Sequence, residues 1–396
     1  MIKNSSINYD ILYLIFVFLI GSTLFTAIRI PNLPIGLGEI LILIIGVYII
    51  LKMNKEINKN FFFNNLLLKY WIFSFILLFL GFLVFYYLGY PFQIKAIIHD
   101  LLAYIFIFFL LIVLHLFQLK INNHEKTFEI FIYVYLFFYI ILFTIFISFE
   151  DSISKYIIPE YPFMIRYAGL SLNANQLAIF FTVLPFIFLK KLLNKNINET
   201  EKYFYIILLS ILIAYLTKSD ALKISIIIGF IILIYLKFNT NLIRLSIYSI
   251  ILLFFISCYL SFDTVVYIID PETALSGGRF LLIKNAFYDL SNMIYFGFGP
   301  GPHSFIKSAF NGNYWEVHNT FIDWFTQTGI LGLFLYFYLI YKIIKGLYIK
   351  KELILISAFS SLLIFSTFHF TFRQPIFWFF IFFFYIMSQG DKKCVE

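Results

Sequence analysis

Residues 296–333, FGFGPGPHSFIKSAFNGNYWEVHNTFIDWFTQTGILGL, hold the densest polar, Gly/Pro and histidine chemistry in the chain. Gly297, Gly299, Pro300, Gly301 and Pro302 exclude a helix or a central strand there, because proline fixes φ and lacks an N–H while glycine permits turns. They predict a shaped loop. His318 and Asn319 follow, at the head of an apolar stretch that runs to Tyr341. A helix N-terminus disfavours the cationic form of histidine, so His318 has the character of a general base. The same pair also suits a plain helix cap, with a side chain bonding the free backbone groups of the first turn.

These residues must be held by helices in a membrane. Hydrophobic residues make up 62% of the 396 and charged residues 13%, with a mean hydropathy of +0.93, far from the range of soluble domains. A run of about 20 apolar residues spans a bilayer as a helix, and about twelve such runs occur. They fall at 11–28, 34–51, 66–89, 97–118, 128–149, 175–193, 203–217, 221–236, 243–261, 318–341, 353–370 and 374–389. The class is an all-α polytopic membrane protein, one integral membrane domain over 1–396, with a large loop at 262–317 before the tenth helix. The first run is expected to be a retained helix, since no small-residue cleavage site follows it. Of the 29 Lys and Arg residues, 19 fall in segments that are cytoplasmic if the N-terminus is inside. This bias places both termini in the cytoplasm and the segments 150–174 and 262–317 on the periplasmic face. It also accounts for the net charge of +8 without a nucleic-acid partner. Cys258 and Cys394 support neither a disulfide frame nor a metal site. No P-loop, Rossmann fingerprint or paired Cys/His spacing is present, and no cofactor or metal is expected.

Other polar segments flank the helices. The first far-side segment contains Arg166, Gly169, Asn173, Asn175, Gln176, Leu177 and Ala178, where Asn175 would also serve as an N-cap. Leu216-Thr217-Lys218-Ser219-Asp220-Ala221 makes a polar break between two helices, and its lysines could equally snorkel to the interface. From Phe280 apolar residues recur at helical spacing, which predicts a short amphipathic helix over the membrane with Arg279 at its N-terminus. His99, Asp100, His369 and Arg373 lie near helix ends on the same side and are read as structural.

His318-Asn319, nine residues, then Gly329-Ile-Leu-Gly332 resembles the HN-x9-GxxG signature of the O-antigen ligase and O-antigen polymerase superfamily. Arg166 to Ala178 resembles that superfamily's R-x-x-G-x-x-x-N-x-N-x-L-A element. Arg279, a helix, then Gly297 and Gly299 is similar to its Arg-helix-G-x-G unit. The likeness covers about 160–345, and the first five helices match only in general character. One departure stands at Ser219-Asp220, where members carry Ser-Arg or Ser-Lys; Lys218 or Lys223 is left to supply the cation.

The resemblance implies a GT-C-like inner-membrane glycosyltransferase, independent of metal and nucleotide, with an undecaprenyl-pyrophosphate-linked glycan as donor. His318 and Asn319 would be catalytic, and Arg279, Arg166 and Lys218 would hold the donor pyrophosphate, for which the arginine fork is suited. Gly297, Gly299 and Gly301 would shape the loop, and Gly329 and Gly332 would let their helix pack closely on a neighbouring helix. The acceptor is lipid A core in a ligase, toward which the signature leans, although Leu333 stands where threonine is often found. It is a second lipid-linked glycan in a polymerase, and protein Ser or Thr in a related branch. The competing class is a transporter or flippase of lipid-linked sugars. Such a protein places charges near the bilayer midplane, and no Asp, Glu, Lys or Arg lies in the middle of the predicted spans.

Overall fold

The computed structural model describes residues 8–26, 36–91, 93–121, 124–148, 167–171, 173–194, 200–237, 279–303 and 316–389. Among them the regular structure is helical throughout. The helices are α1 (Tyr9–Ser22), α2 (Leu37–Lys52), α3 (Lys59–Asn64), α4 (Leu66–Tyr87), α5 (Ile94–Gln118), α6 (His124–Ser148) and α7 (Ala174–Asn194). They continue with α8 (Thr200–Leu216), α9 (Asp220–Lys237), α10 (Arg279–Ala286), α11 (Leu290–Met293), α12 (Thr320–Ile349), α13 (Leu353–Ser366) and α14 (Pro375–Gln389). Eleven of the expected apolar runs are therefore helices, and the run at 243–261 lies outside the described residues. By length and composition α4, α5, α7, α12 and most of α6 can cross a membrane, and α1, α13, α14 and Ile206–Leu216 are shorter apolar helices. The chain is a multi-pass membrane protein.

Two packing groups share α13 and α14. On one side α9 and α7 lie along α13, with α8 on α7; on the other α12 lies against α4 and α14, and α14 reaches α5 and α1. An aromatic knot joins the second group. Trp71, Trp324 and Trp378 are fully buried, with Trp71 and Trp378 4.9 Å apart, Trp324 and Phe372 4.4 Å apart, and Tyr70 stacked on Trp378 at 5.7 Å. Such rings bury large apolar areas with specific geometry, so the start of α12 is fixed to α4 and α14.

The turns divide between two ends of the bundle. At one end Lys190 pairs with Glu125 at 2.9 Å and with Glu352 at 3.1 Å, Lys191 pairs with Glu129, and Lys120 lies 3.3 Å from Glu56. These bridges bring together turns that the basic-residue bias assigns to one side. At the opposite end the Thr26 hydroxyl donates to Gln176 (2.8 Å), Ser171 donates to the Leu24 carbonyl (2.6 Å), and the Tyr167 N–H donates to the Leu216 carbonyl (3.1 Å).

The segment after Arg279 departs from the single amphipathic helix expected. It forms α10 and α11 with a turn between them, and Asp289, at the head of α11, accepts bonds from the side chains of Tyr90, Ser291 and Asn292. Leu282 and Ala286 pack on Val317 and Ile322, at the head of α12.

Candidate active site at a broken helix

The glycine loop and the HN helix are one construction. Gly297, Gly299 and Gly301 all have positive φ (69°, 78° and 126°), a conformation that costs glycine little. The loop so shaped lies against α12 where that helix breaks. Gly329 has φ 67° and ψ −168°, which opens the helical ladder inside α12. The loop backbone fills the opening: the Phe298 N–H donates to the Thr326 carbonyl (2.7 Å), the Gly299 N–H to the Gln327 carbonyl (2.9 Å), and the Ile330 N–H to the Ile294 carbonyl (2.8 Å). Backbone groups freed at a helix break need such partners inside a membrane. A Cβ on Gly329 would stand 2.3 Å from the Tyr295 backbone, and one on Gly297 2.3 Å from that of Gln327. On the far side of the loop, a Cβ on Gly81 of α4 would stand 2.5 Å from the Gly299 nitrogen.

One expectation is corrected here. Gly329 does not serve close packing against a neighbouring helix; it breaks its own helix to admit the loop. A Cβ on Gly332 would stand 2.0 Å from the Thr328 hydroxyl and 2.3 Å from the Thr328 Cβ, in the same helix.

His318 and Asn319 stand at the head of α12. Asn319 is the N-cap, its side chain accepting from the N–H groups of Phe321 (3.0 Å) and Ile322 (3.1 Å). Asp323, buried at 2% exposure, accepts from the N–H groups of Val317 (2.9 Å) and Asn319 (3.1 Å). Between these anchored amides His318 is half-buried and left-handed at φ 58°. Only Lys218 and Lys351 share that conformation among the described non-glycine residues. Strain of this kind costs on the order of 1–3 kcal/mol and clusters at functional sites.

Beside the head of α12 lies a charged cluster that sequence reasoning assigned to structure alone. Arg373, in the turn before α14, donates to Asp100 of α5 at 2.9 Å and also to Glu316, two residues before His318. Asp100 in turn accepts the Gly301 N–H at 3.1 Å. Burial opposes the charge on Arg373, but Glu316 and Asp100 together raise its pKa well above the ordinary guanidinium value. The loop is further held by Gln327, which donates to the Gly301 carbonyl (3.3 Å) and accepts from Tyr104 (2.6 Å). His303, buried between Phe85 and Phe298, donates Nε2–H to the Gly299 carbonyl at 2.8 Å. Burial holds His303 down at a pKa of about 4.

Arg373 also lines a cavity of about 380 Å³, whose other polar lining includes His99, Gln176, Gln374 and Glu39. Phe106, Phe109 and Ile376 contribute to its apolar walls. Gln176 belongs to the first far-side element, so the cavity joins that element to the charged cluster. Asn173, and not Asn175, caps α7, accepting the Asn175 N–H in its first turn (2.9 Å), because α7 begins at Ala174. At the polar break, Lys223 pairs with Asp220 at 3.0 Å and lies over the Tyr215 ring. Lys218 is exposed, and its ammonium has no partner among the described residues. Arg279 begins α10; Arg166 lies outside the described residues. No cluster of metal-ligating side chains occurs among the residues described.

Residues 205–337 match the family model described as O-antigen ligase. The resemblance to the O-antigen ligase and polymerase superfamily holds. The matched segment contains Lys218, Arg279, the glycine loop, His318, Asn319 and Gly329, and spans about a third of the chain. The similarity indicates an O-antigen ligase-like, glycosyltransferase-type enzyme acting on lipid-linked glycans. No curated protein matches the sequence. Arg373, Asp100 and Gln176 lie outside the matched segment; Gln176 falls within the Arg166–Ala178 element, whereas the only sequence signal of Arg373 and Asp100 was polar placement at helix ends.

Proposed function

We propose that the protein transfers a glycan from undecaprenyl pyrophosphate to an acceptor hydroxyl at the periplasmic face of the inner membrane, as an O-antigen ligase with lipid A core as acceptor. The acceptor oxygen attacks the anomeric carbon, the bond from that carbon to the pyrophosphate breaks, and His318 takes the hydroxyl proton. Undecaprenyl pyrophosphate leaves, its growing charge met by Arg279, Arg166 and Lys218, as preorganised charge does in many enzymes. Asn319 holds the helix head that presents His318. One observation carries the reading: within the segment similar to O-antigen ligases, a half-buried, left-handed histidine is fixed at a capped helix head and tied to a glycine loop lodged in the same helix.

The test is purified protein with lipid-linked glycan and candidate acceptors, without nucleotide or metal, beside the lipopolysaccharide of a deletion strain. A ligase leaves rough core and accumulating lipid-linked polymer when deleted. Core bearing a single repeat unit makes the protein a polymerase instead, and transfer to protein Ser or Thr makes it a protein O-glycan ligase. Movement of lipid-linked sugar across the bilayer without bond exchange would make it a transporter and remove the proposed chemistry.

A further inference from the structure

We infer that Arg373 is a positioning residue for His318, acting as a fork that ties the chain just before the histidine to α5 and to the glycine loop. This inference rests on the proposed role of His318 for its kinetic arm only.

The geometry supports a lock of some specificity. One nitrogen of the guanidinium bonds Asp100 at 2.9 Å and the other bonds Glu316, so a single planar group joins segments separated by 273 and 57 positions in the chain. Arginine can direct two N–H groups at two carboxylates at once, whereas a lysine ammonium is a point charge on a flexible stem. Asp100 is 2% exposed and its other oxygen holds the Gly301 N–H, so the same carboxylate sets the loop and anchors the arginine. The face of Arg373 is braced by Phe370, whose ring centre is 5.1 Å from the guanidinium carbon. From the opposite direction Thr320 bonds the His369 carbonyl (2.5 Å) and Thr371 (3.0 Å). The turn that carries Arg373 is thus fixed to α12 on both sides of His318: through Glu316 before it and through Thr320 after it. A left-handed residue such as His318 persists only where its surroundings over-determine it, and these contacts do so. The other titratable groups facing the cluster are His99, 3.7 Å from Asp100, and the buried Asp323, Tyr104 and His303.

The test uses the full-length protein in detergent or nanodiscs, with Glu316→Gln and Arg373→Lys, and with Arg373→Ala as the reference for complete loss of the fork. Glu316→Gln is the mildest change and leaves Arg373 paired with Asp100. Two readouts apply: transfer kinetics per folded molecule, and hydrogen exchange of the amides at 316–322. The expected result is a fall in kcat of about 10- to 100-fold, as misplacement of a reacting group produces, with KM for the donor little changed and exchange at 316–322 accelerated. Arg373→Lys should fall between wild type and Arg373→Ala. Normal kcat in Glu316→Gln and Arg373→Lys would overturn the inference, as would reduced folded protein whose remaining fraction turns over normally. A rise in KM alone, or a lowered kcat with unchanged exchange, would place Arg373 against substrate and also overturn it. If the wild-type protein transfers no lipid-linked glycan, the proposed function fails. Hydrogen exchange then decides alone, with acceleration in both variants sustaining the lock and unchanged exchange removing it.

Discussion

Replacing His318 by glycine separates a chemical role from a structural one. At φ 58° an L-residue in the left-handed region costs roughly 1–2 kcal/mol. Glycine removes that strain but loses about 0.5–1 kcal/mol in backbone entropy. The two terms nearly cancel, so His318→Gly should unfold within about 1 kcal/mol of wild type, with the Asn319 cap and the Asp323 bonds intact. Losing a general base costs about 10²- to 10⁴-fold in rate, or roughly 3–5 kcal/mol of barrier. The effect on turnover should therefore exceed the effect on folding several-fold. Thermal unfolding followed by intrinsic fluorescence, together with transfer of lipid-linked glycan per folded molecule, measures both. A His318→Gly protein that folds normally and transfers at near the wild-type rate would refute the reasoning, since the left-handed histidine would then be doing no chemistry. Asn319→Ala is the control: loss of an N-cap costs about 0.5–2 kcal/mol of stability, with a smaller effect on turnover than His318→Gly.

The break in α12 predicts two costly glycines: Gly329→Ala meets both a positive φ and the Tyr295 backbone at 2.3 Å, and Gly332→Ala meets the Thr328 Cβ at 2.3 Å, which no side-chain rotation relieves; both should lower Tm, Gly329→Ala the more because of its φ, and an unchanged Tm in Gly329→Ala would refute the break. Cysteines at Ser291 and Tyr295, both exposed near the site end, should react with an impermeant thiol reagent from the periplasm while one at Lys120 does not, and the reverse labelling would invert the topology. With Lys223 paired to Asp220, Lys218→Ala should reduce transfer more than Asp220→Ala in the same assay, and Arg279→Ala should reduce it more than Arg279→Lys; the opposite orders would remove these cations from the donor site. His303 has a folded pKa of about 4, below the ordinary value near 6.5, so the unfolded chain binds more protons between those values and the stability His303 confers is lost as pH falls through that window. Tm measured from pH 7 to pH 4 should accordingly fall less steeply in His303→Gln than in wild type, and parallel curves would exclude burial of a neutral imidazole.

The amino-acid sequence by itself determined the membrane class, the places of the helices and the loop at 297–302, because apolar run length, proline and glycine act locally. It also carried the HN pair and the bias of lysines toward one set of turns, which the bridges of Lys190 now gather at one end. What sequence could not express was which backbone the glycines approach. Gly329 and Gly332 look alike in a string, yet only Gly329 faces the loop, since that depends on where residues 294–299 return in space. The N-cap of α7 moved from Asn175 to Asn173 for a similar reason: both side chains are competent, and the path of the chain from Tyr167, tied to Leu216, fixes where the first free amide lies. Arg373, Asp100 and Glu316 were each ordinary polar residues near helix ends. Their association across 273 positions was decided by tertiary packing, where the aromatic knot of Trp71, Trp324 and Trp378 brings α4, α12 and α14 together and leaves a guanidinium and two carboxylates with one another as partners.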